Sequence, residues 1–296
     1  MADGSQPWTI GRLLNWTRQH LTDKGVDQPR LCSELLLAHA LNCEKIQLYT
    51  RFEQVPGKAQ MDVLRDLVRR AAERVPVAYL IGRKEFFSLE FKVTPAVLVP
   101  RPETELLVQE VIDHCRVGER QRWNILELGT GSGCIAVSLA KYLDKAWVVA
   151  TDISPDTLVV AHENAVRHGV EDRVRLVQAD GLSLGEKVVP DGGFDLLVSN
   201  PPYVADDEID RLPPEVARYE PREALAAGPQ GLAFYRTLAE DGPGVLWPGA
   251  AAFVEVGCGQ HEQVADLFTA KGRFELVAVR RDLAGIQRVM HFLLVG

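Results

Sequence analysis

The sequence predicts an α/β fold, with a seven-stranded, mostly parallel sheet that contains one antiparallel strand and follows a small helical bundle. Three observations lead to this prediction. Residues 7–82 show only helical periodicity, the rest of the chain alternates strand-like and helix-like runs, and no helix separates the last two strand-like runs. Alternation implies parallel strands covered on both faces, whereas a short connection implies an antiparallel pair.

The composition is that of a globular protein that needs no covalent or metal support. The chain has 296 residues, of which 46% are hydrophobic and 25% charged. A chain of this length buries roughly 75% of its unfolded surface. The five cysteines are scattered without a Cys-x-x-Cys pair, and the seven histidines do not cluster with carboxylates. We therefore expect reduced thiols, no disulfide framework and no metal site.

Targeting signals and charge restrict the location and the partners. The N-terminus lacks the basic start and apolar core of a secretory signal, and no apolar run reaches the ~18 residues of a membrane span. We therefore expect a cytoplasmic protein with no membrane partner. Residues 1–84 carry 13 Lys and Arg against 9 Asp and Glu, whereas the remainder carries 20 against 32. An acidic main body argues against direct binding of nucleic acid. The mildly basic first part suits an acidic partner, although an ordinary solvated surface explains the same charges.

The first region is predicted to be helical over residues 1–84. Apolar residues recur at helical spacing in the runs 8–20, 31–41 and 61–72. The residues predicted to face the core are Ile10, Leu13, Leu14 and Thr17, then Leu31, Leu35, Leu36 and His39, then Met61, Leu64, Leu67, Val68 and Ala71. Arg65, Arg69 and Arg70 point elsewhere. We expect this domain to dock a substrate.

A β-hairpin linker is predicted at 85–100, followed by a catalytic domain at 101–296. The stretches EFFSLEFKV and VLV are aromatic and β-branched, as hairpin strands are. In the stretch PRPETE, Pro102 suits the first position of a helix, and Glu103 and Glu105 suit its positive end.

The catalytic domain has seven predicted strands, at 123–128, 146–151, 173–178, 194–199, 251–256, 274–280 and 286–294. Predicted helices are 133–142, 155–168, 230–240 and 260–271. A doubly wound sheet with a reversed strand near its edge is typical of methyl transfer from S-adenosylmethionine rather than of a nicotinamide dehydrogenase. This argument is an analogy at the level of the fold. The predicted class is therefore a Rossmann-like, class I S-adenosylmethionine-dependent methyltransferase.

A glycine loop follows the first strand of this sheet in ILELGTGSGCIAVSLA. Gly129, Gly131 and Gly133, with Thr130 and Ser132 between them, allow the backbone to approach a ligand closely. A dinucleotide fingerprint requires glycine at 134, where this chain has a cysteine. Cys134 lies at a predicted helix N-terminus, but packing explains it better than reactivity. Plain strand–helix packing is the alternative explanation of the loop itself.

Acidic residues follow the neighbouring strands. Asp152 lies about 20 residues beyond the loop, where a carboxylate accepts both hydroxyls of a ribose, although it also suits a helix cap. Asp180, followed by Gly181, is placed to accept from the adenine amino group, and a turn residue is the alternative. Glu127 is predicted to orient either the glycine loop or the methionine amine of the cofactor.

The stretch DLLVSNPPY ends a buried strand with Asn200, Pro201, Pro202 and Tyr203. The Asn200 amide oxygen and a backbone carbonyl at 200–201 are suited to accept both protons of a planar NH2 group, and proline adds no competing N–H. Tyr203 is predicted to stack on that group. Both hydrogen bonds strengthen as the nitrogen attacks a methyl group. We therefore predict a clamp for an amide or aniline-like nitrogen, the alternative being a plain proline turn.

Four stretches together, NPPY, ELGTGSGCIA, VLVPRPETE and YEPREALAAGPQGLAFYR, resemble the release factor glutamine methyltransferases. The resemblance implies methylation of the glutamine side chain in the Gly-Gly-Gln motif of class I peptide chain release factors. It also implies cofactor binding at Gly129 to Gly133, Asp152 and Asn200, and a substrate clamp from Asn200 to Tyr203. In such proteins an aromatic residue often follows the acid equivalent to Asp180, whereas Gly181 and Leu182 follow here, so adenine packing must differ.

Other functions and site roles remain open from the sequence. The alternatives are an amino methyltransferase acting on adenine N6 or guanine N2, glutamine methylation of a ribosomal protein, or a cofactor-binding regulatory module without catalysis. In the family, the stretch with Arg101, Glu103 and Thr104 closes over the cofactor, although helix capping explains the same residues. The loop 204–228 is long enough to be a lid or a static surface segment.

Overall fold

The computed structural model describes residues 7–118, 120–185 and 188–295, and the chain divides into two compact units. The helical unit comprises Met1–Arg83 and Pro213–Tyr219, and the sheet unit comprises Lys84–Leu212 and Glu220–Gly296. None of the described helices is both long and apolar enough to cross a bilayer.

Five helices make up most of the helical unit: α1 (Ile10–Asp23), α2 (Pro29–Leu41), α3 (Lys45–Thr50), α4 (Lys58–Ala72) and α5 (Val77–Ile81). Their apolar faces form one core, and α2 packs against all four of the others. The predicted faces of α1 and α4 are confirmed, because Ile10, Leu13, Leu14 and Thr17 are buried, as are Leu64, Leu67, Val68 and Ala71. The sequence did not predict the short helices α3 and α5.

The predicted face of α2 is only partly correct. Leu36 is buried as predicted and Leu35 is half-buried, but Leu31 and His39 are exposed, and Leu37 and Ala38, which were not predicted, are buried. A helix surrounded by four others buries apolar residues on several sides, so a single amphipathic stripe does not identify its core face.

The sheet unit begins with the hairpin β1 (Arg83–Phe86) and β2 (Leu89–Lys92). Alternating helices and strands follow: α6 (Thr104–Val117), β3 (Trp123–Leu128), α7 (Cys134–Tyr142), β4 (Ala146–Asp152), α8 (Pro155–His168), β5 (Val174–Gln178), β6 (Phe194–Ser199), α9 (Pro214–Ala217), α10 (Ala233–Asp241), β7 (Leu246–Glu255), α11 (His261–Thr269), β8 (Phe274–Arg281) and β9 (Gln287–Leu294). Of these, α9 belongs to the helical unit.

The main sheet has seven strands in the order β5-β4-β3-β6-β7-β9-β8. The first five pair in parallel, and β9 runs antiparallel to both β7 and β8. The predicted seven-stranded sheet with one antiparallel strand is therefore confirmed.

Alternating side chains of the central strands build two separate apolar layers. Ile125 and Leu196 join α6 and α7 in one layer, whereas Leu126 and Leu197 join α10 and α11 in the other. Because successive side chains of a strand point to opposite faces, both faces of β3 and β6 are buried. Neither face of these central strands is therefore open to a ligand. A ligand is expected instead at the carboxyl ends of the strands, where the loops diverge.

Two predicted boundaries on the amino-terminal side of the sheet are wrong. The stretch 97–99 is not a strand, since a turn forms in which the Val97 N–H donates to the Thr94 carbonyl (3.1 Å). Helix α6 begins at Thr104 rather than at Pro102. The buried Glu220 carboxylate accepts from the Arg101 guanidinium (2.6 Å), which ties this segment to a distant loop instead of to the helix.

Candidate active site

Four adjacent parallel strands end at one edge of the sheet, and each is followed by a residue predicted for the site. Gly129 follows β3, Asp152 ends β4, Asp180 lies two residues past β5, and Asn200 follows β6. The chain passes from β3 outward to β5 and then returns to β6 on the other side of β3. Such a reversal of strand order opens a crevice at the carboxyl ends of the strands, where α/β proteins bind ligands.

A cavity of about 600 Å³ occupies this edge, within the range of roughly 300–1,000 Å³ that is typical of small-molecule sites. It is lined by six of the predicted cofactor residues and two of the predicted clamp prolines: Gly129, Gly131, Asp152, Asp180, Gly181, Asn200, Pro201 and Pro202. The structure therefore brings the glycine loop, the acids and the Asn-Pro-Pro stretch around one space.

The glycine loop presents bare backbone to the cavity. Gly129 and Gly131 have φ of 72° and 57°, in the left-handed region that favours glycine, and a Cβ at either would meet no atom within 4 Å. Gly133 differs, because a Cβ there would lie 3.2 Å from Ala161. Thus two glycines leave room for a ligand, and the third allows α8 to pack closely.

Thr130 and Ser132 lie behind the loop. Both are buried, and neither they nor Gly133 line the cavity. The Thr130 hydroxyl donates to the Glu127 carboxylate (2.8 Å), which also accepts from the Ala136 N–H (3.1 Å). The direct cofactor contacts predicted for these three loop residues stay predictions.

Glu127 is fully buried beneath the glycine loop. Its pKa is raised to about 8, chiefly by burial and also by the charge of Asp152, against the hydrogen bonds from Thr130 and Ala136, which lower it. Its second oxygen, Oε1, has no hydrogen-bond partner among the described residues. The hydrogen bond from Thr130 connects Glu127 to the loop, in keeping with one of its two predicted roles, and contact with the methionine amine stays a prediction.

Asp152 combines structural bonds with exposure to the cavity. Its Oδ2 accepts from the Gly131 N–H and its Oδ1 from the Ser154 N–H, both at 3.1 Å. A carboxylate offers about four lone-pair sites, so each oxygen retains one for a ligand. The helix cap of α8 is Ser154, whose side chain accepts from Thr157, so the capping role predicted as the alternative for Asp152 falls to Ser154.

Asn200 lines the cavity and is held through its amide nitrogen by a buried threonine. Its Nδ2 donates to the Thr104 hydroxyl (3.0 Å), and the carboxylate of Glu255 lies close to Thr104. Glu255 ends β7 and is 1% exposed. Its pKa is raised to about 7, chiefly by burial, and the nearby Thr104 hydroxyl opposes the increase. The predicted clamp residue therefore lies at the end of a buried polar chain.

Tyr203 does not line the cavity. Its carbonyl accepts from Gln260 (3.0 Å), and the side chain of Gln260 also accepts from the Gly257 N–H (3.1 Å). Burial raises the pKa of the Tyr203 phenol to about 12, so its hydroxyl stays protonated near neutral pH. The stacking predicted for its ring stays a prediction.

Cys134 is a packing residue at the start of α7. It is buried, and burial raises the pKa of its thiol to about 12, because desolvation outweighs the effect of the helix N-terminus.

Among the described residues, no group of three or more His, Cys, Asp or Glu side chains is placed to hold a metal ion.

Several residues that line the cavity were not predicted. Residues 95–98 form one wall, Pro221, Glu223 and Ala224 another, and Phe234, Thr237 and Leu238 of α10 a third. Phe234 is the aromatic residue of this set, and it lies on the same cavity as Asp180 and Gly181. The sequence signals near these walls were the motifs VLVPRPETE and YEPREALAAGPQGLAFYR, which were used for the resemblance and not to predict these wall residues.

The sheet order, the reversed β9 and the ligand crevice define a Rossmann-like methyltransferase, and comparisons with known proteins agree. The methyltransferase domain family matches residues 125–219, and the PrmC N-terminal domain family matches residues 12–82. The hMettl16 catalytic domain, solved with the MAT2A 3′UTR hairpin 1, has a TM-score of 0.53 and 15% identity, covering 78% of this chain and 83% of that chain. This likeness shows the fold alone.

Curated relatives identify the family. The release factor glutamine methyltransferase of Rhodopirellula baltica is 42% identical over 96% of each chain, and that of Geobacter sulfurreducens is 41% identical over 98% of each. The chain belongs to the release factor glutamine methyltransferase family and is an enzyme of the methyltransferase class.

Proposed function

We propose that this enzyme transfers a methyl group from S-adenosylmethionine to the side-chain nitrogen of a glutamine, in the Gly-Gly-Gln motif of class I peptide chain release factors. The observation that carries the proposal is that Asn200, Pro201 and Pro202 line the same cavity as the open glycine loop and Asp152. The nearly full-length relatives are named for this substrate.

The residues of the cavity fit S-adenosylmethionine. At Gly129 and Gly131 the space that a Cβ would occupy is empty, so a ligand is able to approach the backbone there. Each oxygen of Asp152 keeps one acceptor site for a ribose diol. Phe234 supplies an aromatic ring near Asp180 and Gly181, where the sequence lacks the usual aromatic residue after the acid. When bound, this cofactor supplies an electrophilic methyl group on a positively charged sulfur.

Asn200 and the following prolines bind and orient the glutamine amide. A carboxamide nitrogen is a weak nucleophile because its lone pair is delocalised into the carbonyl group. The Asn200 Oδ1 and a backbone carbonyl at 200–201 accept the two N–H protons, and both bonds strengthen as positive charge develops on the nitrogen. Alignment of reacting groups alone is worth ~7–11 kcal/mol in favourable cases. The extra proton leaves the nitrogen after transfer, so no strong base is required.

Transfer of a labelled methyl group tests the proposal. Purified enzyme is incubated with radiolabelled S-adenosylmethionine and, in separate reactions, a class I release factor, the same factor with alanine in place of the Gly-Gly-Gln glutamine, ribosomal proteins, and total nucleic acid. We expect label only in the unaltered release factor. Label in nucleic acid or ribosomal protein supports one of the alternative substrates, and no label in any reaction contradicts catalysis.

The variant Asn200→Ala tests the clamp itself. We expect transfer to fall by about 10²–10³-fold, as happens when an enzyme loses one donor or acceptor aimed at developing charge. Binding of S-adenosylmethionine, measured by calorimetry, should be largely retained. Unchanged turnover in this variant would refute the proposed role of Asn200.

We also propose that the helical unit docks the release factor. Arg65 and Arg69 are exposed and paired within α4, with Asp62 at 2.8 Å and Asp66 at 2.7 Å, and such exposed pairs are weak enough to be exchanged for pairs with an acidic partner. The kcat/KM for whole release factor, compared with that for a short Gly-Gly-Gln peptide, measures docking. The same comparison is made for a variant with Arg→Glu changes at 65, 69 and 70. If its kcat/KM for whole release factor equals that of the wild type, these arginines have no role in docking.

A further inference from the structure

The carboxylate of Glu255 and the hydroxyl of Thr104 are buried next to Asn200 of the proposed clamp. Two apolar side chains at these positions would cost less free energy to bury. Thr104 is 2% exposed and Glu255 is 1% exposed. A buried ionisable group is expensive unless its hydrogen bonds compensate, and the Glu255 Oε2 has no partner among the described residues. The two side chains come from different elements, the first turn of α6 and the end of β7. Their meeting behind Asn200 is therefore a property of the tertiary fold.

We propose that Glu255 and Thr104 are positioning residues that fix which end of the Asn200 carboxamide faces the glutamine nitrogen. An asparagine amide is nearly symmetric in shape, so packing alone does not distinguish its oxygen from its nitrogen. Only the oxygen is able to accept a proton from the substrate. An amide rotated by 180° would present its own NH2 group to the substrate NH2 group and would oppose binding. This inference rests on the proposed function, because it gives the clamp its polarity.

Hydrogen-bond counting sets that polarity. An ionised carboxylate only accepts, so in the proposed arrangement the single hydroxyl proton of Thr104 is directed to the nearby Glu255. The Thr104 oxygen then has only lone pairs to offer, and it accepts from the Asn200 Nδ2 at 3.0 Å. The Asn200 Oδ1 consequently points away from Thr104, and Asn200 lines the cavity. Each member of the chain fixes the donor or acceptor role of the next.

The ionisation of Glu255 links this chain to pH. Its pKa is raised to about 7, chiefly by burial, while the nearby Thr104 hydroxyl and the charges of Arg288 and Arg101 oppose the increase. Once protonated, Glu255 is able to donate to Thr104, which frees the hydroxyl proton for the Asn200 Oδ1 and allows the amide to rotate. The groups whose charges act with or on Glu255 are Arg101 and Glu103 before α6, Arg288 of β9, Tyr203, Tyr235 of α10 and Cys134 of α7.

Paired variants at Thr104 separate polarity from packing. Thr104→Val keeps the shape and removes the hydroxyl, whereas Thr104→Ser keeps the hydroxyl. With whole release factor and saturating cofactor, we expect kcat to fall at least tenfold in Thr104→Val and to stay within about threefold of wild type in Thr104→Ser. The Kd for S-adenosylmethionine should stay near wild type in both, whereas the Tm of Thr104→Val should fall by a few degrees, because the Asn200 Nδ2 loses its acceptor. Equal kcat in the two variants would overturn the proposal.

A pH profile of Glu255→Gln gives a second, independent readout. In the wild-type enzyme, kcat should decrease as pH falls through about 7 and be flat above it, because the ordered state requires the carboxylate. Glutamine still accepts from Thr104 but does not titrate, so the variant should have a reduced and pH-independent kcat between about pH 6 and 8.5. An acid limb that survives unchanged in Glu255→Gln would contradict the proposed role of Glu255.

The variant Asn200→Ala, assayed in parallel, separates failure of this inference from failure of the proposed function. Loss of transfer in Asn200→Ala together with wild-type kcat in Thr104→Val would reject the positioning chain and leave the clamp intact. Wild-type transfer in Asn200→Ala would reject the clamp itself.

Discussion

At the residue scale, Asp152 joins two tasks in one carboxylate. It accepts the Gly131 and Ser154 N–H groups, which shapes the loop and the start of α8, and it faces the cavity with its remaining lone pairs. A charged acceptor of this kind makes hydrogen bonds that are stronger than neutral ones. Asp152 is thus expected to connect cofactor affinity to loop geometry.

We predict that Asp152→Asn weakens S-adenosylmethionine binding by about tenfold to a hundredfold, the loss of about 1.5–3 kcal/mol typical of a hydrogen bond to a charged group. The amide is isosteric, but its NH2 group must face a backbone donor at Gly131 or Ser154. Calorimetric Kd values measure the effect. Asp172→Asn, at an exposed turn after α8, is the control and should bind as wild type does; an unaltered Kd in Asp152→Asn would exclude ribose binding there.

His291 shows a second residue-scale effect, far from the cavity. Its ring stacks on Phe253 with centroids 4.3 Å apart, and its Nε2 is buried without a partner among the described residues. Its pKa is lowered to about 4, chiefly by burial and also by the nearby His114 and Arg280. In the unfolded chain a histidine has a pKa of ~6.5, so His291 binds its proton at a higher pH in the unfolded chain than in the folded chain.

Stability should consequently decrease as pH falls from about 6.5 to 4. We predict that His291→Phe flattens this slope and raises stability at neutral pH by about 1 kcal/mol, since it removes an unpaired buried nitrogen. Urea unfolding at several pH values measures both effects. His162→Phe, at an exposed position of α8, should keep the wild-type slope, and an equal slope in His291→Phe would assign the acid sensitivity to other groups.

At the element scale, the glycine loop uses similar backbone conformations for two purposes. Gly131 borders open space, whereas Gly133, with φ of 79°, lies against Ala161 of α8. An L-residue at such φ values carries strain of order 1–2 kcal/mol wherever it occurs. Only at Gly133 does a steric contact add to that strain, so the two positions distinguish ligand binding from packing.

We predict that Gly133→Ala lowers the Tm by several degrees, corresponding to roughly 1–3 kcal/mol, because the new methyl group must displace α8. Gly131→Ala should lower the Tm less and raise the Kd for S-adenosylmethionine by about tenfold, because its methyl group would border the cavity. Calorimetric titrations and thermal scans of both variants test this division. A reversed order, with Gly131→Ala the less stable variant, would contradict it.

At the scale of the whole molecule, the chain contains two compact units with separate cores. Leu36 is fully buried in the core of the helical unit, and that core shares no residue with the two layers of the sheet unit. The segment Pro213–Tyr219 leaves the sheet unit and joins the helical unit, where Arg74 donates to Glu215 (3.0 Å) and the Tyr219 hydroxyl donates to the Glu73 carbonyl (3.1 Å). Chains with separate cores need not unfold in one step.

We predict that Leu36→Ala destabilises the helical unit by about 2–5 kcal/mol and leaves the Kd for S-adenosylmethionine near the wild-type value. In scanning calorimetry, the cofactor should raise only the transition of the sheet unit, because a ligand stabilises the state that binds it. One transition that the cofactor shifts equally in wild type and Leu36→Ala would indicate that the two units unfold together.

The sequence by itself determined the order of strands and helices, the reversed last strand, and the positions of Gly129, Asp152 and Asn200 at strand ends. These follow from local periodicity and from the rule that parallel strands share a carboxyl edge. Local patterns did not reveal the buried face of α2, the start of α6 at Thr104, or the cavity wall at Phe234, because those depend on neighbours far along the chain.

Only the tertiary structure decided how Asn200 is held. Thr104, Asn200 and Glu255 are separated by 96 and 55 residues, and no spacing rule connects them. They meet because β6 and β7 are adjacent and α6 begins beside their ends. Burial in that place gives Glu255 its raised pKa; the same carboxylate in water would titrate normally and would orient nothing.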